Sequence, residues 1–205
     1  MDTYSCRVFR GLPSIWRTNR FRIAARRLEG LGVRSGTVVD FGCADGYGIP
    51  IWARLASQVV GVEKDEPRLD DARRKFGMLP NVRFVRTADF DFAGDVMVAL
   101  EVFEHTDGVH ECLDILRRFL SAPGRVVFVT LPLEVGLPRY LKTVARRVSP
   151  DLCMLHGPSG YDYRPLLRAI AGDSSLELGR LTFEPLAILG PLLNRGLCFT
   201  VRGAR

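Results

Sequence analysis

The stretch Asp40-Phe41-Gly42-Cys43-Ala44-Asp45-Gly46-Tyr47-Gly48 is the part of this sequence best suited to chemistry. It continues a short β-branched run bounded by glycine, the pattern of a buried parallel strand. Small residues at 42, 44 and 46 let the backbone turn tightly and pass close beneath a ligand. A second apolar run, Val59-Val60-Gly61-Val62, ends in Glu63, 23 residues after Asp40. A carboxylate at that place in an alternating β/α chain can accept the hydroxyls of a ribose. The two features together point to a nucleoside-containing ligand. A dinucleotide fits poorly. A G-x-G-x-x-G pattern begun at Gly46 meets Ile51 in its third glycine place and Pro50 just before it. Asp45 also sets a negative charge where a pyrophosphate would rest on a helix N-terminus.

The elements that must hold these residues alternate along the chain. Residues 14–31 read as a helix with Ser14 as N-cap and Gly32 as stop; Ile15, Ile23 and Leu28 mark an apolar face, with Arg17, Arg20, Arg26 and Arg27 largely elsewhere. Strands follow within 36–43 and at 59–63, 82–86, 95–100 and 125–131, with helices at 50–57, 66–76 and 109–120. Asp65 caps the second of these helices, and Val109, Cys112, Leu113, Leu116 and Phe119 line the inner face of the last. Alternation of this kind predicts a doubly wound, Rossmann-like α/β fold with a mostly parallel sheet. After residue 170 the pattern changes, and 176–184 and 197–203 read as an antiparallel pair at one edge.

Composition bounds the rest. The chain has 205 residues, 47% apolar and 25% charged, as expected for one globular domain. Within 1–205 the sequence divides into a basic helical segment (1–34), a ligand-binding core (35–135), an insertion facing a second substrate (136–170) and the terminal strands (171–205). No transmembrane run and no secretory leader are expected. Five cysteines lie far apart without a CxxC, which points to a reducing, cytoplasmic setting rather than a disulfide framework. The whole net charge of +6 sits in residues 1–34, where eight arginines face Asp2 and Glu29. Such a segment suits either a solvated helix or an anionic neighbour, whether phosphate-bearing substrate, nucleic acid or lipid surface.

With these residues in view, Asp40-x-Gly42-x-Ala44-x-Gly46 resembles the D/E-x-G-x-G-x-G motif of class I S-adenosylmethionine-dependent methyltransferases. Gly61-Val62-Glu63, Ala88-Asp89 and Glu101-Val102-Phe103-Glu104-His105 follow in that family's order, over roughly 35–135. Ala44 departs from the usual middle glycine. The resemblance implies the seven-stranded sheet of the family and S-adenosyl-L-methionine as cofactor. It implies that Gly42, Ala44 and Gly46 pass under the amino-acid portion, that Asp40 meets its ammonium, and that Glu63 holds the ribose hydroxyls. Asp89 would meet the adenine amine, and Leu100 and Glu101 would border the methionine portion.

Methyl transfer to an acceptor that carries a proton needs a base. His105, just past the fourth strand, is the first candidate, and its ordinary pKa suits that work. Its bland reading is a surface histidine held by Asp107. Glu101, Glu104 and His105 together suit a divalent metal, an arrangement similar to metal-dependent O-methyltransferases; a metal-free site ranks first. His156 is a second candidate base or ligand. Arg139, Lys142, Arg146 and Arg147 share one face of a predicted helix, and Tyr161 and Tyr163 line either an acceptor pocket or the core. The stretch 156–166, with its histidine, tyrosines and Arg164-Pro165 pair, loosely resembles the insertion of ubiquinone-type O-methyltransferases, which caps the site and touches the membrane. The expected activity is O-methylation of a small-molecule or lipid-linked acceptor, with peripheral membrane contact as an accompaniment. The alternatives are an RNA 2′-O-methyltransferase, a non-catalytic cofactor-binding member and a nicotinamide oxidoreductase. Leu100-Glu101-Val102-Phe103 stands where the exocyclic-amine methylases of nucleic acids carry an N-P-P-Y string.

Overall fold

The structure is a computed structural model, and it describes residues 12–30, 36–132, 161–184 and 196–204. Helix α1 (Leu12–Gly30) leads into strand β1 (Thr37–Phe41). There follow α2 (Ile49–Leu55), β2 (Gln58–Glu63), α3 (Glu66–Phe76), β3 (Val82–Arg86), β4 (Val96–Leu100), α4 (Val109–Leu120) and β5 (Val126–Pro132). The chain ends with α5 (Arg164–Gly172), β6 (Leu176–Leu178), β7 (Thr182–Glu184) and β8 (Gly196–Gly203).

One sheet runs in the order β3-β2-β1-β4-β5-β8-β6, with β7 also on β8. The pairs among β1 to β5 are all parallel, and β8 is antiparallel to β5, β6 and β7. From β1 the chain first steps one way to β2 and β3, and then returns to lay β4 and β5 on the other side. Right-handed crossovers in opposite directions put their helices on opposite faces. Phe21, Ala24, Leu28, Ile49, Trp52 and Leu69 accordingly pack one face, while Cys112, Leu116, Phe119, Leu166 and Ile170 pack the other.

The strands are apolar on both sides because both faces are covered. In β4, Val96, Val98 and Leu100 join one core and Met97 and Ala99 the other. Helix α3 begins where the sequence places it, with the Asp65 carboxylate accepting from the Arg68 N–H at 3.1 Å.

Three expectations change. Helix α1 starts at Leu12, two residues before Ser14, so Ser14 lies inside the helix rather than at its N-cap. The run 176–184 is not one strand but two. Leu178 pairs with Val201 and Thr182 with Cys198, so three residues on this edge oppose two on β8. That extra residue is a β-bulge, and it splits the edge strand around Gly179–Leu181. Finally, α5 occupies part of the 136–170 block, where Leu166 and Ile170 are fully buried against the sheet.

Phe119 is fully buried beneath the sheet on α4. Phe119→Ala is expected to lower the free energy of unfolding by about 3–5 kcal/mol, since truncation removes transfer energy and leaves a cavity. Urea titration followed by circular dichroism checks this; a loss below about 1 kcal/mol would show that α4 can collapse onto the gap.

Candidate functional site

The sheet order reverses between β1 and β4, and it is outside the carboxyl ends of strands at such a point that α/β folds bind ligands. The cleft there is lined by Arg20, Asp40, Gly42, Ala44, Tyr47 and Leu100, with Phe21, Cys43 and Asp45 completing it.

The loop after β1 is built by left-handed backbone. Gly42, Ala44 and Gly46 have φ of +73°, +49° and +83°. A Cβ at Gly42 would stand 2.5 Å from Val102 Cγ2, so glycine is required there by space as well as by conformation. Ala44 takes the left-handed region with a side chain, at a cost of about 1–2 kcal/mol. Its N–H donates to Glu63 Oε2 at 2.9 Å, which holds it there. The other Glu63 oxygen accepts from the Lys64 and Asp65 N–H groups at 2.8 and 3.0 Å. Gly42 and Cys43 both donate to the Val62 carbonyl. Three hydrogen bonds thus tie the loop to the end of β2, two on the Val62 carbonyl and one on the buried Glu63 carboxylate, whose other oxygen is held by the backbone that follows β2.

Asp40 is buried at the end of β1, and its Oδ2 accepts from the Trp52 indole N–H at 2.9 Å. Burial pushes its pKa up to about 7; the Trp52 bond and the Arg20 charge oppose that rise, and Glu63 adds to it. Asp45 approaches Lys75 Nζ at 3.7 Å, and the same ammonium stands 5.6 Å from the centre of the Tyr47 ring at the rim.

At the end of β4, Leu100 is buried in the cleft wall and Glu101 has φ +56°. The Glu101 carboxylate is bridged by the Arg20 guanidinium of α1. Glu104 is buried, and its Oε1 is 4.0 Å from His105 Nε2. Glu104, not Asp107, is therefore the acid beside His105. The Asp107 N–H donates to Glu111 Oε2 at 2.6 Å. His105 is half-exposed, and burial, with help from Lys64 and Arg68, holds its pKa below the ordinary histidine value, while Glu101 works the other way. Among the described residues, no group of three or more His, Cys, Asp and Glu is placed to hold a metal ion. Asp89 and Ala88 sit in an exposed 3-10 turn after β3, apart from the cleft lining. Tyr161 and Tyr163 pack against the core around α4 and α5. His156, Arg139, Lys142, Arg146 and Arg147 lie outside the described residues.

Sequence reasoning missed Arg20, Tyr47 and Trp52. Arg20 was indistinguishable from its seven arginine neighbours, and Trp52 read only as an apolar helix residue. The one available signal was the i+4 spacing of Trp52 from Gly48, whose missing side chain leaves room for the indole. A Cβ at Gly48 would be 2.5 Å from Trp52 Nε1.

Residues 16–159 match the profile of the family described as a methyltransferase domain, and the chain belongs to that family. It is 31% identical over 143 residues to a probable S-adenosylmethionine-dependent methyltransferase of Mycolicibacterium smegmatis, covering 58% of this chain and 55% of that protein. A probable S-adenosylmethionine-dependent methyltransferase of Mycobacterium tuberculosis is 32% identical over 104 residues, or 44% of this chain and 37% of that one. The chain thus spans about half the length, or less, of these curated relatives. In fold it resembles magnesium protoporphyrin IX methyltransferase from Synechocystis PCC 6803, solved with bound SAH, with a TM-score of 0.68, 16% identity and coverage of 93% and 84% of the two chains. It also resembles the methyltransferase domain of bacterial CtHen1-C, with a TM-score of 0.65, 16% identity and coverage of 92% and 99%. These likenesses establish the class I, Rossmann-like methyltransferase fold.

Asp40 gives a prediction about stability. The folded protein holds its proton up to about pH 7, whereas an unfolded chain releases it near 3.8. Between those values the folded state binds more protons, so this group's contribution to stability falls as pH rises and is lost above about 7. Asp40→Asn cannot ionise, and its amide oxygen still accepts from Trp52. The ligand-free variant is expected to be more stable than wild type at pH 8, with the advantage gone near pH 4. Thermal unfolding at the two pH values decides it, and an equal advantage at both would refute the assignment.

Proposed function

We propose that this chain is an S-adenosylmethionine-dependent methyltransferase that methylates an oxygen of a small-molecule or lipid-linked acceptor. The observation that carries the reading is the Glu63 carboxylate buried against the loop of Gly42, Ala44 and Gly46. A phosphate-binding loop leaves its N–H groups free to meet an anion. Here the Ala44 N–H is consumed by Glu63, and the surroundings are acidic: Asp40, Asp45 and Glu63. Such a cleft suits a nucleoside whose other half is cationic. A carboxylate has about four acceptor positions. Three are taken by backbone, which leaves capacity for a ribose hydroxyl.

When bound, S-adenosylmethionine supplies a methyl group on a sulfonium that leaves without being protonated. The protein's part is therefore to hold donor and acceptor in line and to take a proton from the acceptor. Asp40 is the group for the ammonium, and Leu100 and Glu101 border the methionine side. Asp89, on its turn after β3, is the group for the adenine amine. His105 is proposed as the base. Its environment disfavours the imidazolium, so it stands neutral and ready to accept a proton near pH 7. That capacity favours a hydroxyl acceptor, because a neutral amine needs no base before attack. Among the described residues no helix is long and apolar enough to cross a membrane.

Calorimetric titration with S-adenosylhomocysteine, with NAD as the control ligand, tests the cleft. Glu63→Ala is expected to weaken binding by about 1.5–3 kcal/mol, the scale of hydrogen bonds to charged groups; unchanged affinity removes Glu63 from the ribose. The acceptor is sought by methyl-labelled transfer onto hydroxylated small-molecule, lipid and RNA fractions, and labelling of RNA alone would overturn the acceptor class.

For whichever fraction is labelled, His105→Ala is expected to lower kcat by about 10²–10⁴ with little change in cofactor affinity. The wild-type rate should fall on the acid side with a midpoint below the ordinary histidine value, since protonation removes the base. A fully active variant would exclude His105 from the reaction.

A further inference from the structure

Arg20 is the one cation among the described residues that line the cleft, where it faces Asp40 and Asp45. It comes from α1, 81 residues from the Glu101 it bridges, and so ties the N-terminal helix across the mouth to the end of β4. Only part of its guanidinium is used. Nη1 meets Glu101, while Nε is buried with no acceptor. A guanidinium presents its N–H groups as a fork that matches a carboxylate held two-pronged. The present partner takes the outer nitrogen and leaves a buried donor unmatched, an arrangement that favours any carboxylate able to enter from the cleft side.

The other nearby acids are already engaged: Asp40 by Trp52, Asp45 by Lys75. Glu101 itself stands on backbone at φ +56°, its N–H donating to the Thr130 carbonyl at 3.0 Å. Its side chain is 44% exposed, so it can give up the guanidinium to water at little cost.

On the reading of the cleft as an S-adenosylmethionine site, we propose that Arg20 exchanges partners when the cofactor binds. Its guanidinium passes from Glu101 to the α-carboxylate of the cofactor's amino-acid portion. Loading the cleft thereby ties α1 to the donor and leaves the Glu101 carboxylate, which already acts on His105, without its guanidinium. The exchange also gives one arginine of the basic N-terminal segment a partner other than nucleic acid or lipid.

The test uses three ligands by calorimetry on the full chain: S-adenosylhomocysteine, its decarboxylated analogue, and 5′-methylthioadenosine, which lacks the amino-acid portion. Arg20→Ala is expected to weaken S-adenosylhomocysteine on the order of ten- to a hundredfold. The same variant should leave the other two ligands unchanged. Glu101→Gln removes the competing charge and is expected to tighten S-adenosylhomocysteine a few-fold, again without effect on 5′-methylthioadenosine. If Arg20→Ala weakens all three ligands alike, or if Glu101→Gln weakens S-adenosylhomocysteine, the bridge is a fixed strut and the exchange is wrong while the cleft reading stands. If wild type binds neither S-adenosylhomocysteine nor 5′-methylthioadenosine, the cleft reading itself fails and takes the exchange with it.

Discussion

The carboxylate of Glu63 is the constraint on which the cleft depends. It sits at the end of β2, buried, and accepts from three backbone N–H groups on two different segments. One of them belongs to Ala44, the residue of the loop with a strained left-handed backbone and a side chain. A charged acceptor in a poorly solvated place holds its donors more firmly than a neutral one does. The same group therefore fixes the shape of the loop that lines the cleft. It explains how this chain carries alanine at a left-handed position: the hydrogen bond offsets the conformational cost. It also disfavours a phosphate, since the Ala44 N–H is spent on this carboxylate and those of Gly42, Cys43 and Gly46 on backbone carbonyls.

Around that point the site is arranged by charge more than by shape. Asp40 is held in the interior by an indole N–H and by the field of Arg20, against the cost of burial. Arg20 is held by Glu101. His105 is biased toward its neutral form by its own burial and by Lys64 and Arg68. Asp40 and His105 are displaced first by burial and then by neighbours on other elements, so the chemistry of the cleft belongs to the packing of α1, α2, α3 and the ends of β1, β2 and β4 together. The buried Trp52 illustrates this. It packs against Phe21 of α1 with ring centres 6.1 Å apart, and it donates to Asp40 from α2. One side chain thereby joins the N-terminal helix to the acid of the loop.

Much of this was legible beforehand, and for specific reasons. The parallel strands announced themselves because a strand covered on both faces must be apolar throughout, as Val96–Leu100 is. Helices α3 and α4 were readable to the residue because Asp65 caps one and an i, i+3, i+4 stripe from Val109 to Phe119 marks the other. The glycines at 42 and 46 were readable because few residue types satisfy a left-handed turn, and the acids at 40 and 63 because each interrupts the end of an apolar strand. What failed to show was register and pairing between distant segments. The bulge that divides 176–184 depends on a count of residues against β8. Arg20 and Trp52 carried no local sign of their roles.

The amino-acid sequence by itself determined the order of strands and helices, the turn after β1, and the presence of acids at the ends of β1, β2 and β4. All of these follow from local rules: periodicity, backbone freedom and the capping chemistry of neighbouring residues. Only the tertiary structure decided which of those acids are buried, which are bridged, and which cation reaches them. It paired Arg20 with Glu101 and placed Trp52 on Asp40. Such choices depend on distances between residues far apart in the chain and on how much water the fold removes from around each charge, and neither quantity is written in a window of sequence.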